Sequence, residues 1–101
     1  MADPGHDYEF EWDPAKARSN HRKHGVSFEE GSTVFLDPRA LSVYDTDHGD
    51  MEDRWVTLGL SSVGRPLVVI HTFRESSQRR SMIRMISVRK ATRRESRTYG
   101  S

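Results

Sequence analysis

The last third of the chain carries arginines at positions where they could hold a phosphate group. Arg84 interrupts the apolar run Met82–Val88, and Arg89 follows that run directly. Arginine suits phosphate because its planar guanidinium can donate two parallel hydrogen bonds to phosphate oxygens and keeps its charge. The run itself is typical of a central strand covered on both faces, where an arginine is costly unless an anion meets it. Arg84 and Arg89 are therefore the first candidates for binding a scissile phosphate.

The residues after this run predict a basic helix from about Arg89 to Tyr99, because they include good helix formers and no Gly or Pro. Arg89, Arg93 and Arg97 recur at i, i+4 and i+8 and would form one stripe along the helix. Arg84 and Arg89 would then flank the junction between strand and helix, where helix N-terminal amides add a weaker attraction for an anion. The candidates for RNA binding on this helix are Lys90, Arg93, Arg97 and Tyr99.

Four side chains could transfer protons or contact a base. One of them, His24, more closely fits a cation at the C-terminal end of the first helix, next to Gly25. Glu95 is surrounded by arginines and should stay ionised, which favours a structural ion pair over catalysis. His71 titrates in the useful pH range, but it shares a strand face with apolar residues and more closely fits a buried core histidine. Tyr99 could stack on an RNA base or pack under the end of the helix, and packing is the commoner role.

Two further arginines lie at opposite ends of one predicted strand. Arg65 begins the apolar run that ends at Phe73, and Arg74 follows it. One position is odd and the other even, so the side chains should point to opposite faces and only one should join a site. Arg74 is the preferred member for the catalytic site, and Arg65 is a candidate for binding the RNA. The alternative for either residue is a surface cation at the edge of the sheet.

The net charge of +1 conceals a strong asymmetry between the two halves of the chain. Residues 1–53 hold 13 acidic and 5 basic side chains, whereas residues 54–101 hold 2 acidic and 11 basic ones. Such a split indicates a surface in the second half that binds a polyanion such as RNA. The alternative is that the two halves neutralise each other within the fold.

The elements that must position these residues alternate in a simple order. A strand comes first, then two helices, then four strands, then the basic helix, which predicts an α+β domain with an antiparallel sheet. The N-terminal helices would pack on that sheet, and residues 1–7 would be frayed. The expected elements are a strand Tyr8–Trp12, a helix Pro14–His24, a helix capped by Ser27, a strand Leu41–Tyr44, an acidic loop Asp45–Asp53, a hairpin of Arg54–Leu60 with Arg65–Phe73, a polar turn Glu75–Arg80 and a strand Met82–Val88.

Composition excludes several classes of protein. At 101 residues the chain is one domain, and it has no cysteine for disulfides or thiolate metal sites. No apolar run is long enough to cross a bilayer, so we expect a cytoplasmic protein without membrane contact. His21 and His24 could share a metal, but the sequence shows no third ligand nearby. No phosphate-binding glycine loop, nucleophile elbow or dinucleotide fingerprint is present, so no cofactor is expected.

The ordered series of motifs resembles one family across nearly the whole chain. The end of the chain reads Ile-Arg-x-Ile-Ser-x-Arg-Lys-Ala-x-x-Arg-Glu-x-x-x-Tyr from Ile83 to Tyr99. This stretch resembles the BrnT toxins, small bacterial ribonucleases of type II toxin–antitoxin pairs with a fold similar to that of the RelE toxins. The other matching segments are Phe10-Glu-Trp-Asp-Pro14, Asn20-x-x-Lys-His-Gly-Val26, Phe28-Glu29-Glu30, Asp37-Pro38, Arg54-Trp-x-x-Leu-Gly59 and Gly64-Arg65.

The resemblance implies a function. It implies a metal-independent endoribonuclease that inhibits translation and growth and has an arginine-dominated site, with arginines at the positions of both Arg65 and Arg74. It also implies a DNA-binding, BrnA-like antitoxin as partner, in a hetero-oligomer that regulates its own operon. The alternative from the residues alone is a module that binds nucleic acid, or docks a protein, through its basic half without cleaving anything.

Overall fold

Five strands form one sheet in the computed structural model, which describes residues 6–45 and 53–99. The spatial order of the strands is β1-β5-β4-β3-β2. This architecture confirms the predicted α+β class, whereas residues 1–5 and most of the predicted acidic loop lie outside the described residues. The elements are β1 (Asp7–Glu11), α1 (Pro14–His24), α2 (Phe28–Ser32), a 3₁₀ turn (Thr33–Leu36), β2 (Leu41–Tyr44), β3 (Arg54–Leu60), β4 (Pro66–Ser77), β5 (Arg80–Lys90) and α3 (Arg93–Thr98).

The sheet is mixed, so the prediction of an antiparallel sheet was wrong for one strand. Strands β2 to β5 pair antiparallel, but β1 pairs parallel with β5. Short loops force consecutive strands to run antiparallel, whereas β1 is separated from β2 by helices long enough for a crossover. The predicted fraying also stops short of Asp7, because Asp7 begins β1 and the His6 ring bonds Ser81 Oγ at 2.7 Å.

Local sequence signals set the boundaries of the N-terminal helices as predicted. Asp13 caps α1 by accepting a hydrogen bond from the Ala15 amide at 2.9 Å, and Pro14 occupies the first helical position. Gly25 ends α1 with φ at +70°, a conformation that glycine adopts without strain. Ser27 caps α2 by accepting from the Glu30 amide. The second predicted helix is thus a single turn that continues as a 3₁₀ turn.

Helices α1 and α2 cover one face of the sheet and bury the core between them. The core includes Phe28, Val34, Leu67, Ile83 and Val88, each with 0% of its surface exposed. The three alternating rings of the first strand, Tyr8, Phe10 and Trp12, pack against this core as predicted.

Asn20 connects α1 to β5 through buried hydrogen bonds. Its side-chain nitrogen donates to the Val88 carbonyl at 2.9 Å, and its side-chain oxygen accepts from the Val88 amide at 3.1 Å. The same nitrogen also reaches the Val26 carbonyl at 3.2 Å. One polar side chain therefore satisfies three buried backbone groups.

A bulge in β5 decides which face its arginines occupy. Ile70 pairs with Ser87, but the next residue, His71, pairs with Met85, so Ile86 is an extra residue. Arg84 and Arg89 are five residues apart and would point to opposite faces of a regular strand. Because of the bulge, both lie on the sheet face opposite α1 and α2, which we call the open face.

The two longest strands extend further than the sequence predicted. β4 runs to Ser77 and β5 begins at Arg80, so most of the predicted polar turn Glu75–Arg80 is strand. These residues are exposed, apart from the buried Ser81 that follows them. A hairpin arm that is exposed on both faces has no need of apolar alternation, so its residues give no strand signal.

The closing helix is also shorter than predicted. Strand β5 continues through Arg89 to Lys90, and α3 begins only at Arg93. Thr92 and Glu95 form a reciprocal capping box that fixes this start. Arg89 is therefore a strand residue, and the predicted stripe of Arg89, Arg93 and Arg97 along one helix does not form.

Replacing Asn20 by Ala should lower the free energy of unfolding by about 2 to 4 kcal/mol, because it leaves buried backbone groups without partners. Urea unfolding at neutral pH measures the change. Arg22→Ala, on the exposed side of the same helix, is the control and should change stability by less than about 0.5 kcal/mol. Equal effects of the two substitutions would contradict the role given to Asn20.

Candidate functional site

An open cavity of about 340 Å³ lies where β1, β5 and β4 run side by side. Two of its lining residues are arginines, Arg74 and Arg84. Arg84 pairs with Thr72 across the strands and Arg74 pairs with Met82, so the two arginines are diagonal neighbours on the open face. We call this cavity the arginine groove. Its lining residues are Glu11, Asp53, Thr72, Phe73, Arg74, Met82 and Arg84.

The two guanidinium groups of the groove are weakly engaged within the protein. Within residues 6–45 and 53–99, Arg84 forms one ion pair, between Nη1 and Glu11 Oε1 at 3.9 Å, and both side chains are about half exposed. Arg74 is exposed, and no hydrogen bond or ion pair to residues 6–45 or 53–99 holds its guanidinium. Both groups can therefore accept an external anion without losing a strong internal partner.

Two carboxylates enter the groove that the sequence reasoning did not select. Glu11 lies beside Arg84 because β1 and β5 pair in parallel with these residues in register. Asp53 lines the opposite side and accepts a hydrogen bond from the Tyr44 hydroxyl at 3.2 Å. The alternation of aromatic and acidic residues in Tyr8–Trp12 did indicate that Glu11 faces away from the core. Its position beside Arg84 could not be predicted, because it depends on the pairing of two distant strands.

Arg54 is a third arginine on this part of the sheet that the sequence reasoning did not select. It pairs with Thr72, which in turn pairs with Arg84, so the three residues form one row across β3, β4 and β5. Two strand spacings separate the backbones of Arg54 and Arg84 by about 10 Å. Arg54 therefore adds a positive charge beside the groove, although it is not one of the lining residues.

Arg89 does not reach the groove. It pairs with Val68, four residues along β4 from the partner of Arg84, which places the two arginines about 13 Å apart on the open face. Its guanidinium donates to both oxygens of Glu95, at 2.8 and 2.9 Å. Arg89 is thus engaged with Glu95 and does not line the groove that holds Arg84, and the contact of both arginines with one phosphate stays a prediction.

Glu95 belongs to the capping box at the N-terminus of α3. Its Oε1 also accepts from the Thr92 amide at 2.8 Å. The hydrogen bonds from Arg89 are the main reason that the pKa of Glu95 falls to about 2. A carboxylate that binds protons so weakly is a poor base, and its contacts match the structural ion pair expected from sequence.

Arg65, which directly precedes β4, is also held in an ion pair with a glutamate. Its guanidinium makes a two-pronged ion pair with Glu30 of α2, and the Ser61 hydroxyl donates to the same carboxylate at 2.7 Å. These contacts, led by the Arg65 hydrogen bond, lower the pKa of Glu30. Of the two arginines that flank this strand, the preferred Arg74 is the one that lies with Arg84.

His71 is a core residue with both ring nitrogens bonded. Only 2% of its surface is exposed, and burial lowers its pKa to about 4. Nδ1 lies 2.9 Å from the Thr72 carbonyl, and Nε2 lies 2.7 Å from the Thr57 hydroxyl. The ring has no path to a phosphate in the groove, so its position supports the core role rather than the catalytic one.

The other predicted RNA-binding residues lie away from the groove. Lys90 ends β5 on the helix-covered side near Glu30, and Arg93 and Arg97 are exposed on α3. The Tyr99 hydroxyl donates to Asp37 Oδ2 at 2.6 Å, so this ring anchors the chain after α3. Partial burial raises the pKa of Asp37, but the bonds from Tyr99 and two backbone amides outweigh it and leave the pKa lowered.

No three His, Asp or Glu side chains among residues 6–45 and 53–99 come close enough together to hold a metal ion. No helix in these ranges is long and apolar enough to cross a membrane.

The sequence matches one protein family over most of its length. A family model described as the ribonuclease toxin BrnT of type II toxin–antitoxin systems matches residues 12–95. The chain belongs to the BrnT family. The match covers most of the BrnT chain described here and includes both groove arginines, while Glu11 lies directly before its first residue. A search of curated proteins gives no match to this chain.

Family membership assigns this BrnT chain to the ribonuclease toxins and implies an RNA target and a protein antitoxin. The groove is compatible with that activity, since it combines guanidinium groups for a phosphate with a neighbouring carboxylate.

The buried His71 should make stability depend on pH. Its pKa in the folded protein, about 4, lies below the ordinary value of 6.5. Between these two pH values His71 is therefore protonated in the unfolded chain and neutral in the folded protein. The stability that the protein has with His71 neutral in both states is fully present above pH 6.5, and it is lost as the pH falls towards 4. We expect a loss of about 2 kcal/mol between pH 7 and pH 5, measured by urea unfolding.

The control for this prediction is a pair of histidine substitutions. His71→Gln should remove most of the pH dependence in this window, and His24→Gln should preserve it. An unchanged pH dependence in His71→Gln would show that another group causes it.

Proposed function

We propose that this BrnT protein is a metal-independent endoribonuclease whose scissile phosphate binds in the arginine groove. The observation that supports the proposal is the sharing of one groove by Arg74 and Arg84. Within residues 6–45 and 53–99, Arg84 has only the long contact to Glu11 at 3.9 Å, and Arg74 has no ion pair. The guanidinium groups of Arg65 and Arg89, by contrast, each form a close ion pair with a glutamate. Two cations that are available to an anion, side by side, fit the charge of a phosphodiester.

The proposed reaction uses the RNA's own 2′-hydroxyl. Its oxygen attacks the adjacent phosphorus, the bond from phosphorus to the 5′ oxygen breaks, and the products carry a 2′,3′-cyclic phosphate and a 5′-hydroxyl. Glu11 accepts the proton from the 2′-hydroxyl, and water in the open groove protonates the departing 5′ oxygen. Arg74 and Arg84 stabilise the negative charge that develops on the phosphate oxygens, which is the role a metal ion fills in other nucleases.

As a toxin of a type II pair, the protein would cleave cellular RNA, inhibit translation and arrest growth until an antitoxin neutralises it. Cellular RNA as substrate makes the cytoplasm the site of action. We propose a BrnA-like antitoxin that binds DNA and, in a hetero-oligomer with the toxin, regulates its own operon. The arginine-dominated site without a strong base corresponds to a RelE-like mode of catalysis.

Cleavage of RNA by the purified protein in the presence of EDTA tests the enzyme directly. Arg84→Ala and Arg74→Ala should each lower the cleavage rate by about 100-fold, the typical loss on removing one group that stabilises transition-state charge. Arg22→Ala is the matched control and should cleave at the wild-type rate. Cleavage by both groove variants at the wild-type rate would rule out the groove as the site.

RNA that stays intact but shifts in a native gel would instead support the non-catalytic binding module. Both functions predict affinity that falls with salt, so only the product ends distinguish them.

Substituting the proposed base should affect the rate without abolishing binding. Glu11→Gln should slow cleavage by about 10²- to 10⁴-fold, because general base catalysis contributes about that much, while RNA affinity stays within a few-fold of wild type. Single-turnover cleavage and a filter-binding titration measure the two quantities. Glu9→Gln on the same strand is the control, and an equal effect of both substitutions would exclude a specific role for Glu11.

A further inference from the structure

A second cavity, of about 280 Å³, lies on the helix-covered side of the sheet. Aromatic rings dominate its walls, among them Trp55 on β3 and Phe35 in the 3₁₀ turn. Its polar lining residues are Ser42 and His71, and the rings of Tyr8 and Trp55 also carry a hydroxyl and an N–H group. We call it the aromatic cavity, and its lining residues are Tyr8, Phe35, Ser42, Trp55, His71 and Phe73.

The hydrogen-bond chain behind this cavity has a fixed direction. A carbonyl can only accept, so His71 Nδ1 carries the proton and donates to Thr72 O. Nε2 of the neutral ring must then accept from the Thr57 hydroxyl, whose only proton is used in that bond. Ser42 Oγ lies 2.7 Å from Thr57 Oγ1 and must therefore donate to it.

This direction decides what Ser42 can offer to a ligand. Its proton is committed to Thr57, so its exposed hydroxyl oxygen has only lone pairs left for an incoming group. The cavity thus combines flat aromatic walls with the hydrogen-bond acceptor of Ser42. A flat heterocycle that bears an N–H on its edge matches both features.

The aromatic cavity adjoins the arginine groove at Phe73, which lines both and is 38% exposed. On β4, Thr72 and Arg74 face the groove and the alternate residues His71 and Phe73 face the cavity. Strand β3 begins at Arg54, opposite Thr72, so β4 has no paired strand on that side beyond this point within the described residues. A nucleotide can therefore have its phosphate on one face and its base on the other.

We propose that the aromatic cavity binds one nucleobase of the RNA whose phosphate occupies the arginine groove, and that Ser42 selects for a base bearing an N–H. The identity of the ligand as RNA rests on the proposed function. Ser42 is here a specificity-determining residue, positioned by Thr57 and His71, and it takes no part in breaking a bond. An apolar side chain of a protein partner would use the aromatic walls but would leave the acceptor of Ser42 unused.

Single nucleotides test this inference without any cleavage. The probes are uridine monophosphate and its N3-methyl derivative, which lacks the N–H, followed by the NMR signals of the indole N–H groups. Trp55 lines the cavity, whereas Trp12 packs edge-on against Phe28 and serves as an internal control. Uridine monophosphate should shift the Trp55 signal and leave that of Trp12 unchanged. The methylated nucleotide should bind about 3- to 10-fold more weakly, as expected for the loss of one neutral hydrogen bond.

Ser42→Ala should bind both nucleotides with the same affinity, and Ser62→Ala, at an exposed serine outside the cavity, should keep the difference. An unresponsive Trp55 signal, a Trp55 shift caused only by a protein partner, or a methyl effect that persists in Ser42→Ala would each overturn the inference. If Trp55 responds but RNA is not cleaved, the proposed function alone fails. If RNA is cleaved but Trp55 does not respond, this inference alone fails.

Discussion

A guanidinium group that grips a carboxylate through two hydrogen bonds has little left to offer a phosphate, and this competition determines which arginines of the protein are available. Arg65 forms an ion pair with Glu30, and Arg89 forms one with Glu95, in each case through two hydrogen bonds. These pairs join β4 to α2 and the end of β5 to α3, so they stabilise the fold instead of serving a ligand. Two arginines of the strongly basic second half are therefore engaged within the fold. Arg84 lies in the groove together with Arg74, where both are available to an anion.

The arrangement of the sheet decides where those cations meet. The bulge at Ile86 changes the alternation of β5, so core residues on both sides of it face the helices while Arg84 stays on the open face. Parallel pairing with β1 then brings Glu11 beside Arg84, and antiparallel pairing with β4 brings Arg74 to the diagonal position. Glu11 comes from a distant part of the chain and Arg74 from the other arm of the β4–β5 hairpin, and the rigid sheet fixes their spacing.

Local signals in the sequence were sufficient for the elements whose boundaries depend on neighbouring residues. The Asp13 cap, the Gly25 stop and the apolar runs of the central strands predicted α1 and the sheet centre correctly. The start of the last helix was missed because Arg89 and Lys90 have helix propensity, yet β4 offers them strand partners and the capping box at Thr92 starts the helix later. Tertiary pairing thus outweighed local preference.

The candidate site was predictable only in part for the same reason. The residue types pointed to Arg84 and Arg74, which share the groove. A bulge and a parallel strand cannot be recognised from spacing, so neither the position of Glu11 beside Arg84 nor the engagement of Arg89 with Glu95 away from the groove was expected. The most direct test of the account is NMR of the arginine Nε–H groups during titration with an RNA whose 2′-hydroxyl at the cleavage site is replaced by hydrogen. The account predicts shifts for Arg74 and Arg84 and none for Arg65 and Arg89. Shifts confined to Arg65 and Arg89 would contradict it.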